Sequence, residues 1–365
     1  MNDTMRTILL AGAFISFILG AGTATGQEIL QFFVSFGYLG IGVIIIAAIL
    51  HAWFGAYSMD VGLRLKAHDS KDVFVYFCGK YIGTFMYWFS QIFILIVFIT
   101  MISGAGATVA EHFTISEGIG RLIMGLAVLI TALLRLESMV KILGIAGPII
   151  VFFAIIVGGG SIDAGGLSQL SHDLEKVDMP QSTSYWWQSG FVYSSFVLLV
   201  AVPFLANLGK NETRRKNVIV GGILGGIIML LGVFAIYIGV LSDFKHMKGV
   251  EIPTLLLANE ISVGLGHIFS IILLIAIYTT AVGMLWTVST QISKENQTVY
   301  KLVTVTLVII GFFGGMLPFA SIIDFVYPIV GYISLILFIG MFYRQFINPG
   351  ALTKADNKVT DESVS

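Results

Sequence analysis

Isoleucine, leucine, phenylalanine and glycine recur along the chain in blocks of about twenty residues, separated by short polar stretches. A block of that length crosses the hydrocarbon core of a bilayer as a helix. Ten blocks are distinguished, over about 6–35, 38–65, 79–110, 118–135, 138–158, 186–209, 216–241, 264–293, 299–317 and 320–345. The segment from Glu251 to Ser262 predicts a short amphipathic helix outside the bilayer before the eighth span. The polar stretch from about residue 346 to 365 predicts a cytoplasmic tail. The predicted fold class is therefore an all-α integral membrane protein of ten transmembrane helices, with one transmembrane domain over 1–345.

The first block is not uniform. Phe17-Ile18-Leu19-Gly20-Ala21-Gly22-Thr23-Ala24-Thr25-Gly26-Gln27-Glu28 places glycines, hydroxyls and a carboxylate inside a spanning segment. Glycine weakens a helix interior by about 1 kcal/mol. Backbone groups freed in hydrocarbon cost several kcal/mol more unless they line a cavity or hold an ion. The sixth block carries Gly190-Phe191-Val192-Tyr193-Ser194-Ser195-Phe196 and then Pro203. Five spans, a loop over about 159–185 and five more spans make two repeats, about 6–158 and 186–345. An odd number of helices per repeat gives them opposite topology. Interruptions in the first helix of each repeat predict a 5+5 inverted-repeat transporter with helices 1 and 6 discontinuous.

Composition narrows the function classes. Hydrophobic residues make up 57% and charged residues 11%, and the mean hydropathy is +0.93. No cleavable signal peptide is expected, because the first apolar block is long and lacks a small-x-small cleavage site. The one cysteine, Cys78, excludes an internal disulfide. A net charge of −1 gives no reason to expect a nucleic-acid partner. No zinc-protease, nucleophile-elbow or P-loop motif is present, so no enzyme activity and no cofactor are expected. Of the twenty basic residues, all but Arg121, Lys176, Lys245 and Lys248 fall on one side of the alternating spans. That side is cytoplasmic by the positive-inside rule, with both termini there. The expected location is the cell membrane, and the expected partners are the lipid bilayer and a small molecule; the sequence leaves the oligomeric state open.

A pocket between the two interruptions would be lined by Ala21, Gly22, Thr23, Thr25, Tyr193, Ser194, Ser195 and Phe196, with Tyr87, Trp88 and Gln91 completing its wall. Amides opening the outer half of helix one would suit a carboxylate. Glu28, an ionisable group at membrane depth, would hold an amine or exchange a proton. Asp60 and Arg64, four residues apart, read as a helix-surface pair. His51 and His267 read as packing or interfacial histidines.

The glycine break, Tyr193-Ser194-Ser195-Phe196 with the later Lys210-Asn211-Glu212-Thr213-Arg214-Arg215, and Ala276-Ile277-Tyr278-Thr279-Thr280 together resemble the amino acid–polyamine–organocation superfamily, the LeuT fold. Within it, the segment Gly20 to Glu28 is most similar to the YkvI-like bacterial membrane proteins. The resemblance implies Na+ as a coupling ion, held by the carbonyls of Ser16, Leu19 and Ala276 and the hydroxyls of Thr279 and Thr280. It also implies an acidic gate at Asp324. In some proton-coupled relatives a lysine on the fifth helix takes the cation position, which makes Lys141 the alternative to sodium. The expected function is cation-coupled symport of a small amino acid or related amine by alternating access. H+-coupled transport or exchange on the same fold is one alternative; a non-transporting membrane sensor is another.

Overall fold

Asn2 begins the first helix by accepting the amide of Met5 at 2.9 Å, a side-chain N-cap. α1 (Asp3–Ile18) stops at Leu19, whose backbone (φ −70°, ψ 60°) leaves the helical region. A single turn follows, α2 (Ala21–Ala24). Gly26, at φ +87°, then redirects the chain into α3 (Gln27–Phe32). A left-handed backbone at this corner is open to glycine and strained for residues with a Cβ. The computed structural model describes residues 2–67, 69–133, 139–162, 181–293 and 296–348, apart from the side chains of Ala21 and of residues 139–145. The side chain of Lys141, the acidic residues of the long loop and the tail beyond 348 lie outside the described residues.

A 3-10 turn over Val34–Leu39 leads into α4 (Gly40–Leu65). Next come α5 (Ser70–Cys78), α6 (Lys80–Phe113), α7 (Glu117–Leu133) and α8 (Met139–Gly160). After the long loop, α9 (Trp186–Lys210) and α10 (Arg215–Ser242) are followed by the short α11 (Pro253–Ile261). The chain closes with α12 (Val263–Ser293), α13 (Gln297–Gly314) and α14 (Phe319–Phe342). Among the described residues every regular element is helical, and seven segments are long and apolar enough to cross a membrane. The apolar stretch of α9 is 89% buried and that of α13 only 22%, so α9 runs through the centre and α13 lines the periphery. Leu302, Phe313 and Ile339 keep more than half of their surface exposed, as suits side chains that meet lipid rather than water.

Two expectations need correction. The sixth block is one uninterrupted helix, α9, through Tyr193, Ser194 and Ser195. Its small residues serve close packing instead of unwinding. A Cβ on Gly190 would come within 2.8 Å of Ile46, and one on Gly209 within 1.9 Å of the Met59 carbonyl. Small residues at membrane helix interfaces let backbones approach in this way. Ser195 returns its hydroxyl to the Phe191 carbonyl at 2.7 Å, so that turn needs no further partner.

Asp60 is also more than half of a surface pair. It is buried, and Arg215 at the start of α10 grips it through two bonds, 2.6 Å from Nε and 2.9 Å from the guanidinium NH2, with Arg64 at 3.8 Å. The pairing spans 155 residues, beyond the reach of an i,i+4 argument.

Candidate functional site

The interruption of helix one brings Glu28 back toward the turn before it. Glu28 lies in the first turn of α3, is 6% exposed, and accepts a 2.6 Å bond from the Thr23 hydroxyl. A Cβ on Gly22 would stand 1.9 Å from Glu28 Oε1, so the carboxylate occupies the space that a side chain at 22 would fill. Glu28 borders a cavity of about 30 Å³ whose wall includes Gly20, Phe93, Met101, Phe196, Thr280 and Tyr327. Room for one or two waters is the natural reading of that volume.

Aromatic rings form part of the cavity wall. Tyr327 stands 5.3 Å from Phe93 and 5.0 Å from Phe196 between ring centroids, and Phe196 lies 5.3 Å from Tyr193. The hydroxyls of Tyr193 and Tyr327 are buried. They face Thr23 and Thr100 without reaching hydrogen-bonding geometry.

Two backbone carbonyls exposed by the break are met from the first turn of α11. Thr254 donates its amide to the Thr25 carbonyl at 3.0 Å and its hydroxyl to the Ala24 carbonyl at 2.8 Å. Gln27 donates its side-chain amide to the Val250 carbonyl. Pro253 opens α11 at a position where a missing amide costs nothing. The predicted short helix is therefore present, and its first residues cover the second half of helix one.

Near the other side of the break, the Thr280 hydroxyl donates to the Ser16 carbonyl at 3.0 Å, joining α12 to α1. Thr279 bonds back to the Ala276 carbonyl at 3.0 Å. Leu19 closes the last turn of α1 with its amide on the Ile15 carbonyl at 2.8 Å. Gly20 is pressed between Thr280 and Met101, with both within 3.1 Å of an added Cβ.

Other predicted residues stand elsewhere. Ser194 faces His51 at 3.5 Å, and His51 is itself held by the Ala47 carbonyl. Thr25 bonds locally to the Gly22 carbonyl at 3.2 Å. Asp324 is on an exposed face of α14, whereas Tyr327, three residues on, is the member of that helix that borders the cavity with Glu28. Tyr87 bonds to Gln291, Gln91 to Ser90, and Trp88 is 53% exposed, so none of the three lines this cavity.

His267 is not isolated. Its Nδ1 lies 2.6 Å from His112 Nε2. The sequence reading missed Phe93, Met101 and Tyr327 because apolar residues on a spanning helix carry no sign of which face meets the cavity.

No family model matches the chain. Two proteins of Bacillus subtilis strain 168 are similar along most of its length. The uncharacterized membrane protein YkvI is 25% identical over 335 residues, covering 91% of this chain and 93% of that protein. The uncharacterized protein YyaD is 25% identical over 335 residues, covering 88% and 92%. Among solved structures, MhsT in complex with L-phenylalanine superimposes with a TM-score of 0.67 at 13% identity, covering 95% of this chain and 97% of that one. Mhp1, a nucleobase-cation-symport-1 family transporter, gives 0.58 at 13% identity, with 86% and 71% covered. A Na+-coupled sialic acid symporter gives 0.57 at 13% identity, with 96% and 87% covered. The fold is thus one shared with secondary transporters.

Proposed function

We propose that this chain is a ten-span secondary transporter of the cell membrane, coupling cation movement to that of a small amino acid or related amine. The ten spans count α1 to α3 as one broken helix and add α4, α6, α7, α8, α9, α10, α12, α13 and α14. Both termini are cytoplasmic in this reading. The observation that carries it is the interrupted helix with a buried carboxylate at its corner, beside a small cavity, in a fold shared with transporters. A transport fold needs a site that can close over its cargo, and a polar break at membrane depth is stable only where it serves a cavity or an ion.

Sodium would sit among the carbonyls of Ser16, Leu19 and Ala276 and the hydroxyls of Thr279 and Thr280. Support comes from the 3.0 Å approach of Thr280 to Ser16, which gathers oxygens of α1 and α12 at one point. Hard cations of this kind take oxygen ligands without needing a carboxylate. A second reading, proton coupling, is favoured by Glu28 itself. Its polar partner is a neutral threonine, and no basic side chain among the described residues pairs with it.

Uptake into proteoliposomes separates these readings. Accumulation of a labelled solute under an inward Na+ gradient supports sodium coupling, and accumulation under a proton gradient alone supports Glu28 as the coupling group. Absence of flux under both gradients, with ligand binding retained, would overturn transport in favour of a membrane sensor.

A further inference from the structure

The cavity beside Glu28 has a carboxyl group of the chain itself on its border. We propose that it takes a compact organic ammonium lacking a carboxylate; this rests on the cavity being the substrate site and narrows the class of substrate. Three observations lead there.

The place where a substrate carboxylate would approach the break is already held by Glu28, packed into the space above Gly22. Several of the nearby donors are committed. Thr23 gives its hydroxyl to Glu28. The amides of Ala24 and Gly26 go to the carbonyls of Gly20 and Thr23, at 2.9 and 3.2 Å, and that of Gln27 faces the Thr25 hydroxyl at 3.4 Å. A second carboxylate would crowd the Glu28 carboxyl in a poorly solvating site, where two such groups ionise together only at high cost.

The remaining walls suit a cation. Phe93, Phe196 and Tyr327 form an aromatic group with centroids 5.0 to 6.1 Å apart. Ring faces attract an ammonium, and desolvation strengthens the attraction. The buried hydroxyl of Tyr327, which borders the cavity, has an oxygen available to accept an N–H bond.

The third observation is size. A cavity of about 30 Å³ bordered by Met101 and Met284 admits a small guest, with the two thioether chains able to yield.

The test uses pairs of compact ligands that differ by the carboxylate alone: ethylamine against alanine, and isobutylamine against valine. Thermal shift of the purified full chain and uptake into proteoliposomes are measured for each. The proposal expects the amines to stabilise the protein and to be carried, with the matching amino acids at least roughly tenfold weaker. Replacing Glu28 with Gln should lower amine affinity by roughly tenfold or more, the usual range for a lost charge-assisted bond. The paired comparison on the unaltered chain stands even if Glu28→Gln folds poorly.

Amino acids that bind as well as or better than their amines overturn the proposal and leave the transporter reading intact. If neither class binds or moves, the cavity is not a substrate site, and both readings fall together.

Discussion

At the scale of single residues, the contact between Thr280 and Ser16 is the sharpest handle on sodium. Valine has nearly the shape of threonine, so Thr280→Val removes the hydroxyl with little change in packing. Losing one hydrogen bond inside a membrane protein costs on average about 0.6 kcal/mol, and the fold should survive. Sodium stabilises a protein that binds it by about 2.7 kcal/mol at a hundredfold excess over its dissociation constant. The expected result is a clear rise in melting temperature for the parent protein in NaCl over KCl, and no such rise for Thr280→Val. An unchanged sodium shift in the variant would remove Thr280 from the ion site. Gly22→Ala tests the neighbouring corner. A methyl group there would overlap Glu28 Oε1, so the carboxylate must leave its position. Solute uptake should drop at least tenfold, while yield and gel-filtration behaviour stay near those of the parent; parent-like uptake would show that the position of Glu28 is immaterial.

At the scale of helices, the capping of the broken segment by Thr254 makes a separate prediction. Thr254→Val removes the hydroxyl bond to the Ala24 carbonyl and leaves the backbone bond to the Thr25 carbonyl. Stability should fall by about 1 kcal/mol, and hydrogen exchange should quicken in peptides covering residues 21–32 and 250–256. Exchange confined to the α11 region would argue that α11 covers helix one without supporting it.

This capping also marks what the sequence could and could not convey. Blocks of about twenty apolar residues placed nearly every long helix to within a few residues, because spanning a bilayer imposes one length. The break at Leu19 and Gly20 was legible because a cluster of glycines and hydroxyls inside hydrocarbon has few other uses; the second corner, at Gly26, was not singled out. The same signal misled in α9, where Gly190 and Gly209 bring helices close together and break nothing. α5 went unpredicted although Asp69 caps it at Lys71 and Val73, Phe74 and Phe77 form its buried face. Contacts such as Thr254 to Ala24, 230 residues apart, leave no local pattern at all.

At the scale of the molecule, orientation is open to a direct experiment. Cys78 is the one cysteine, so Cys78→Ala gives a silent background. In that background Lys245→Cys, on an exposed turn after α10, should react with a membrane-impermeant thiol reagent on intact cells. Lys216→Cys, exposed at the opposite end of α10, should react only after the membrane is opened. The reverse pattern would invert the proposed topology.

That orientation gives meaning to two closures at opposite ends of helix one. On the Lys245 side, the segment over 250–254 covers the break. On the Lys216 side, charged residues tie the start of α1 and the end of α4 to the chain around the start of α10. Arg6 meets Glu212 at 3.3 Å, Arg214 binds Asp3, and Arg215 clamps Asp60. With both closed, the cavity beside Glu28 stays small. Alternating access requires one closure to loosen while the other holds, so weakening either should shift the population toward its own side. Asp60→Asn tests the inner one. The Arg215 side chain is 60% exposed, so its pairing is worth less than that of a fully buried pair, about 1 kcal/mol or roughly fivefold in population. Labelling of Asn207→Cys, whose side chain borders a polar cavity with Asp69 and Lys210 at the inner end of α9, should therefore rise roughly fivefold in Asp60→Asn. Thr254→Val should leave the rate at that position unchanged or lower it. Equal acceleration by both substitutions would mean general loosening of the fold, with no alternation between its two ends.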